Sequence, residues 1–220
     1  ARARPPFLLD ACQSLGQLRV DVGELDCDML TATGRKFLRG PRGTGLLFVR
    51  EGFLEQLEPF PLDQEGALLL SESEVRMRAD ARCFEQYECN FAGKAALAVA
   101  MDYALDWGME AIEARVKALA ARLRRRLRDV PGVEVADVCR ELCGIVTFTV
   151  AGRSAPEAKE ALRSGGFEVD ASVAAGGGSR VWFDHRGLAG VVRASPHYFN
   201  TEEEVDLCAA AVAELAAASA

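Results

Sequence analysis

Residues 31–45 read TATGRKFLRGPRGTG, and the apolar run LLFV (46–49) follows at once. One lysine, three arginines and four glycines fall within these fifteen residues. The chain as a whole has 220 residues and a net charge of −7, so this positive charge is a local feature. An acidic chain lacks the broad basic surface that nucleic-acid binding needs. A small anion is the natural partner of such a loop.

Working outward from the loop, residues 7–9 (FLL) read as the end of a buried strand closed by Asp10. Residues 11–17 (ACQSLGQ) read as a turn and short helix. A continuous apolar run suits a parallel strand covered on both faces, and residues 46–49 read as another of that kind. Residues 50–60 predict a short helix ending near Pro59, and residues 61–90 look irregular and polar. Residues 92–129 predict one long helix, bent near Gly108, with Arg122, Arg124, Arg125, Arg126 and Arg128 on a solvated face. Pro131-Gly132 breaks it. Strands are expected at 133–138, 145–150, 167–169 and 191–194, with a helix at 155–164. Thr201 and Glu204 fit a capping box opening a last helix at 202–218. The expected organisation is α/β, divided into residues 1–110, with the basic loop, and 111–220, a long helix and a small α/β module. A strand ending at Asp10 has little chain before it, and a parallel neighbour needs a crossover connection. The sequence is therefore expected to be the later portion of a larger enzyme, or to take strands from a companion polypeptide.

Other classes are set aside. No apolar run approaches the length of a transmembrane helix, and FLL is too short for a signal peptide. Seven scattered cysteines form no CxxC pair, and the two histidines, His185 and His197, stand apart from them, so no metal site is expected. Reduced thiols in a cytoplasmic protein are the simplest reading. Cys12 reads as a small buried thiol, and residues 176–178 as a mobile loop or linker tip.

Three features converge on chemistry: Asp10 at a strand end, Lys36 in the glycine-rich loop, and Thr33 and Arg35 beside it. Ligands of open α/β sheets bind at the carboxyl ends of strands. A lysine there can act as a Schiff-base nucleophile. A carboxylate facing a pyridinium nitrogen is the other half of a pyridoxal phosphate site. Thr33, Arg35 and the loop amides would hold its phosphate.

The sequence resembles the class V aminotransferase and cysteine desulfurase superfamily of fold-type I pyridoxal phosphate enzymes. DACQSLGQ (10–17) is similar to the family's Asp-x-x-Gln segment. TATGRKFLRGPRGTG is similar to its Schiff-base lysine loop, and VVRASPHYFNTEEEVD (191–206) to its Arg-x-Ser segment. The resemblance implies the C-terminal portion of such an enzyme: part of the large-domain sheet plus the small C-terminal domain. It assigns Asp10 to the pyridine nitrogen, Gln13 to the ring hydroxyl, Thr33 and Arg35 to the phosphate, and Lys36 to the Schiff base. Arg193 would clamp the substrate carboxylate, and His197 would line the substrate pocket. Arg35 stands where many members have histidine. The family's cofactor-stacking residue and a phosphate-binding turn lie upstream of the matched motifs. Residues 171–190 contain no cysteine where desulfurases place their nucleophile. The resemblance thus implies a C–S lyase acting on a cysteine-type amino acid through external aldimine formation, α-proton abstraction and β-elimination. Epimerase or aminotransferase activity of the same superfamily, or a non-catalytic part of a larger biosynthetic enzyme, are its alternatives. A homodimer of the complete enzyme is also implied.

Overall fold

The computed structural model describes residues 4–60, 62–175 and 179–218. The chain divides into two compact units, Ala1–Glu110 and Ala111–Ala220. Residues 176–178, read above as a loop, lie outside the described residues.

The first unit is built on a three-stranded sheet, β1 (Leu8–Asp10), β2 (Met29–Thr33) and β3 (Gly45–Val49). β1 runs parallel to β2, pairing Leu9 with Leu30 and Asp10 with Thr31. β3 runs antiparallel to β2, which corrects the parallel reading of residues 46–49. The reason is β2 itself. Its apolar positions alternate in burial, and the chain returns from it through the basic loop directly into a hairpin partner. Ala11, Cys27, Leu30 and Ala32 form the core, with Leu9, Leu15, Val22 and Phe48 packed on it. Residues 11–17 form turns rather than a helix, with the Ser14 and Leu15 amides both donating to the Ala11 carbonyl.

A four-residue helix, α1 (Glu51–Leu54), follows β3. The stretch expected to be irregular contains an antiparallel hairpin, β4 (Ala67–Ser71) with β5 (Glu74–Met77), and a 3-10 turn at Ala81–Phe84. Glu72 and Ser73 form the hairpin's turn. α2 (Phe91–Trp107) begins at Asn90, whose side chain accepts the Gly93 amide. The expected long helix is two helices. Gly108 sits at φ +86, a left-handed conformation that stops α2 before α3 (Met109–Arg128) starts.

The second unit sets α3, α4 (Ala155–Ser164) and α6 (Glu202–Ala217) around an antiparallel sheet of order β6-β7-β9-β8. Its strands are β6 (Val133–Val135), β7 (Val146–Val150), β8 (Asp170–Val173) and β9 (Gly190–Ala194). The strand expected at 167–169 therefore begins later, at Asp170. α5 (Arg180–Arg186), unread in the sequence, precedes β9. Leu119, Leu123 and Leu127 of α3 recur at helical spacing and pack with Val146, Phe148, Val192 and Val212 in one core. Ser154 and Thr201 both open their helices with full capping boxes.

Arg124 corrects the reading of a solvated arginine face, being only 3% exposed. Its Nε lies 2.6 Å from Asp137 Oδ2, and its outer nitrogen donates to the Cys143 and Ile145 carbonyls. Arg122 and Arg126 do reach the surface, where both pair with Asp206 of α6. Asp137→Ala leaves the Arg124 charge buried without its partner, and we expect a loss of about 3–5 kcal/mol in urea unfolding. Arg126→Ala, at a half-exposed pair, is expected to cost about 0–1 kcal/mol in the same measurement.

Candidate active site

Two backbone segments of the first unit meet at Gly16. This residue sits at φ +92, and a Cβ built there would fall 2.5 Å from the Leu38 amide nitrogen and the Phe37 carbonyl carbon. Only a glycine lets the Asp10–Gln17 turn lie flat on the lysine loop. Gln17 is buried, and its side-chain amide donates to the Gln13 carbonyl, closing that turn.

The loop is also fixed from its other side. A Cβ at Gly34 would meet Leu97 of α2 at 2.7 Å and the Thr44 hydroxyl at 2.5 Å, and one at Gly40 would meet Leu97 at 2.8 Å. The Gly34 amide donates to Thr44, the Gly40 amide to Gly34 and the Arg39 amide to Lys36. Arg39 holds φ +59 and lays its guanidinium 5.0 Å from the Tyr103 ring centroid. Phe37 and Leu38 are buried. Lys36 thus sits on a loop anchored on both sides of it, while Arg35 is exposed. The Thr33 hydroxyl lies 3.4 Å from the Thr44 carbonyl, a long contact.

Asp10 is exposed at the end of β1, and the Cys12 amide donates to its Oδ1 at 2.9 Å. The Cys12 thiol and amide hold the Asp10 carboxyl below the usual carboxylate range, and the positive charge of Lys36 adds to them. The same contact pushes the Cys12 thiol up, with Asp10 as the main cause. Cys12 is therefore a half-buried partner of Asp10 and not an inert core thiol. The structure brings Asp10, Cys12 and Lys36 into one electrostatic group.

In the second unit, Arg193 stands one residue before the end of β9, in register with Thr147 of β7 and Asp170 of β8. One outer nitrogen donates to Asp170 Oδ2 at 3.2 Å, and Lys159 donates to the other oxygen at 2.9 Å. Lys159, the Ala171 amide and the charge of Arg193 hold the Asp170 carboxyl low. Among the described residues, the buried Arg193 Nε has no hydrogen-bond partner. A guanidinium with one edge donor unsatisfied is suited to accept a carboxylate. His197 is 8% exposed, and its Nδ1 accepts the Tyr198 amide at 3.0 Å while its ring stacks on Phe199. The sequence reading missed Asp170, Lys159, Gly16 and Leu97. Gly16 could have been suspected as the glycine inside DACQSLGQ; Asp170 carried no such signal.

Among the described residues, no helix is long and apolar enough to cross a membrane.

The family described as Aminotransferase class-V matches residues 4–208. A probable cysteine desulfurase of Mycolicibacterium paratuberculosis is 30% identical over 212 residues, covering 95% of this chain and 30% of the relative. Another, from Methanothermobacter thermautotrophicus, is 28% identical over 216 residues, covering 96% and 53%. The apo structure of a cysteine desulfurase from Thermococcus onnurineus NA1 superposes with a TM-score of 0.88 at 27% identity, covering 97% of this chain and 53% of that one. The chain spans about a third to a half of the length of these relatives.

Gly16→Ala is expected to lower stability by more than Gly166→Ala. Gly166 has nearly the same φ, +90, but nothing within 4 Å of its Cβ position. Gly166→Ala should cost about 1–3 kcal/mol from strain alone. Gly16→Ala should exceed it and raise hydrogen exchange at the Leu38 amide, with both variants compared by urea unfolding and exchange mass spectrometry.

Proposed function

The chain belongs to the class-V aminotransferase family, and from that premise we propose that it carries the lysine-bearing part of a pyridoxal 5'-phosphate enzyme that breaks the C–S bond of a cysteine-type amino acid. The observation that carries the reading is Lys36, held on a doubly anchored loop with its charge acting on an ionised Asp10.

The donors present fit the cofactor. Asp10, kept ionised by Cys12 and Lys36, suits a protonated ring nitrogen. Gln13 is assigned to the ring hydroxyl, and Thr33, Arg35 and the loop amides to the phosphate. When bound, pyridoxal phosphate supplies a carbonyl carbon for the amino group and a sink for the electron pair left at the α-carbon.

Lys36 performs the proton work. Once deprotonated, its amine would take the α-proton and pass it to the departing β-sulfur. Arg193 is assigned to the substrate carboxylate, which its Nε and an outer nitrogen can hold as a fork. Asp170 and Lys159 keep the guanidinium in place. His197, with Nδ1 committed to the Tyr198 amide, acts by shaping the turn after Arg193. Loss of the β-sulfur substituent completes the elimination. Because residues 171–190 contain no cysteine, the sulfur is expected to leave as a free species. The working state proposed is a cytoplasmic homodimer of the full-length protein.

The test is an absorption spectrum with added pyridoxal phosphate, followed by borohydride reduction and peptide mapping. A visible band lost in Lys36→Ala, with the reduced label on Lys36, is expected. A label on other lysines, or none on Lys36 in either this chain or the full-length gene product, overturns the reading. Arg193→Leu should keep the Lys36 label while weakening amino-acid binding about 10- to 100-fold, read by spectral titration with cysteine derivatives. Asp10 is expected to protonate at lower pH than a free aspartate, and Cys12→Ala should move any acid loss of the band to higher pH.

A further inference from the structure

The sheet of the second unit has two unlike faces. Val146, Phe148 and Val192 turn into the helical core. Thr147 and Arg193, alternating with them, belong to the opposite face, together with Val191 and Ser172. On that face lies a cavity of about 360 Å³ lined by Cys139, Cys143, Thr147, Val191, Trp182 and Phe183, among others. Both cysteines belong to the irregular segment between β6 and β7.

That segment is held at its ends. Asp137 Oδ1 accepts the Thr147 amide at 3.0 Å and its hydroxyl at 2.5 Å, directly opposite Arg193 in the register. Arg124 binds the Cys143 and Ile145 carbonyls. The Cys143 sulfur accepts the Ile145 amide at 3.5 Å, a contact that orients it. Cys139 is exposed and Cys143 half-buried, and both are free thiols.

Four of the other five cysteines are less suited to meet a reagent. Cys27 and Cys83 are buried, Cys12 is bound to Asp10, and burial pushes the Cys208 thiol up to about 11. Cys89 lies in the first unit, beside Lys94.

We propose that Cys139 and Cys143 form a dithiol site that accepts sulfane sulfur from a small persulfide. The inference rests on the C–S lyase reading for the source of that persulfide: elimination from a substrate whose β-sulfur bears a second sulfur would release one. The Cys139 thiolate attacks the terminal sulfur of the persulfide. The S–S bond of the donor breaks, and the donor leaves as a thiolate that takes up a proton. Cys139 now carries the extra sulfur. The Cys143 thiolate then attacks Cys139 Sγ, the bond to the extra sulfur breaks, and hydrosulfide leaves. The two thiols are oxidised to a disulfide, and the sulfane sulfur is reduced to sulfide.

The experiment uses glutathione persulfide, anaerobically and without pyridoxal phosphate, so its outcome does not depend on Lys36 chemistry. Trypsin cleaves after Arg140, between the two cysteines, so a Cys139–Cys143 bridge keeps two peptides joined. The wild-type chain should give that joined pair, with about one sulfide released per chain. Cys143→Ser should retain one extra sulfur on Cys139 and release no sulfide. Cys139→Ser should give neither product. Sulfur spread evenly over Cys12, Cys89 and Cys139, no joined peptides in the wild type, or the same bridge in a donor-free control would each overturn the proposal. A bridge that forms in a chain where Lys36 takes no cofactor label would refute the proposed activity and leave the dithiol site standing.

Discussion

The first unit depends on one close approach: the backbone of Gly16 lying against the peptide between Phe37 and Leu38. Without a side chain at that point, two segments far apart in the sequence share a surface with no gap. The acid at the end of β1 and the lysine of the loop are brought into one electrostatic group because their supporting turns are in backbone contact. Leu97 repeats the arrangement on the other side, where Gly34 and Gly40 make room for it. The glycines of the basic loop serve packing first. The phosphate-binding role proposed for its amides uses a conformation that packing has already imposed.

The second unit follows a different logic. Its antiparallel sheet gives one face to a leucine- and valine-rich core, while the other carries a smaller apolar cluster of Ala136, Phe183 and Val191. On that second face Arg193 sits between Thr147 and Asp170. Its carboxylate partner supplies only part of what the guanidinium can bind, and the buried Nε is left over. A fully satisfied arginine would be structural; a partly satisfied one can accept a carboxylate without breaking an existing bond.

How far the sequence was legible follows from the range of each interaction. Asp10, Lys36 and Arg193 stood in short motifs and could be read directly. The helix over 155–164 and the Thr201–Glu204 capping box were equally local. β2 was missed because its Thr31-Ala32-Thr33 end ran into the glycine-rich loop and was read as part of it. That omission then misled the reading of β3. The Asp170–Arg193 pair spans 23 residues, and the Arg124–Asp137 pair spans 13, so only the folded sheet and helix bring them together. Arg124 lies in a run of arginines whose other members are solvated, and composition alone could not single it out. α5 is seven residues long, too short for its periodicity to be distinguished.

Arg124 and Asp137 also limit what the segment after β6 can do. A buried ion pair contributes little net stability over an apolar pair of similar volume, because both charges lose their hydration. Its effect is on the competing arrangements. Sliding residues 137–145 by one position would separate the charges while both stayed out of water, and the Cys143 and Ile145 carbonyls would lose their donor in the same step. The segment therefore has one low-energy seat rather than a ladder of near-equal ones. An irregular stretch without helix or strand hydrogen bonds thereby behaves as a fixed part, and insertions or deletions within it should be far less tolerated than its exposed position suggests.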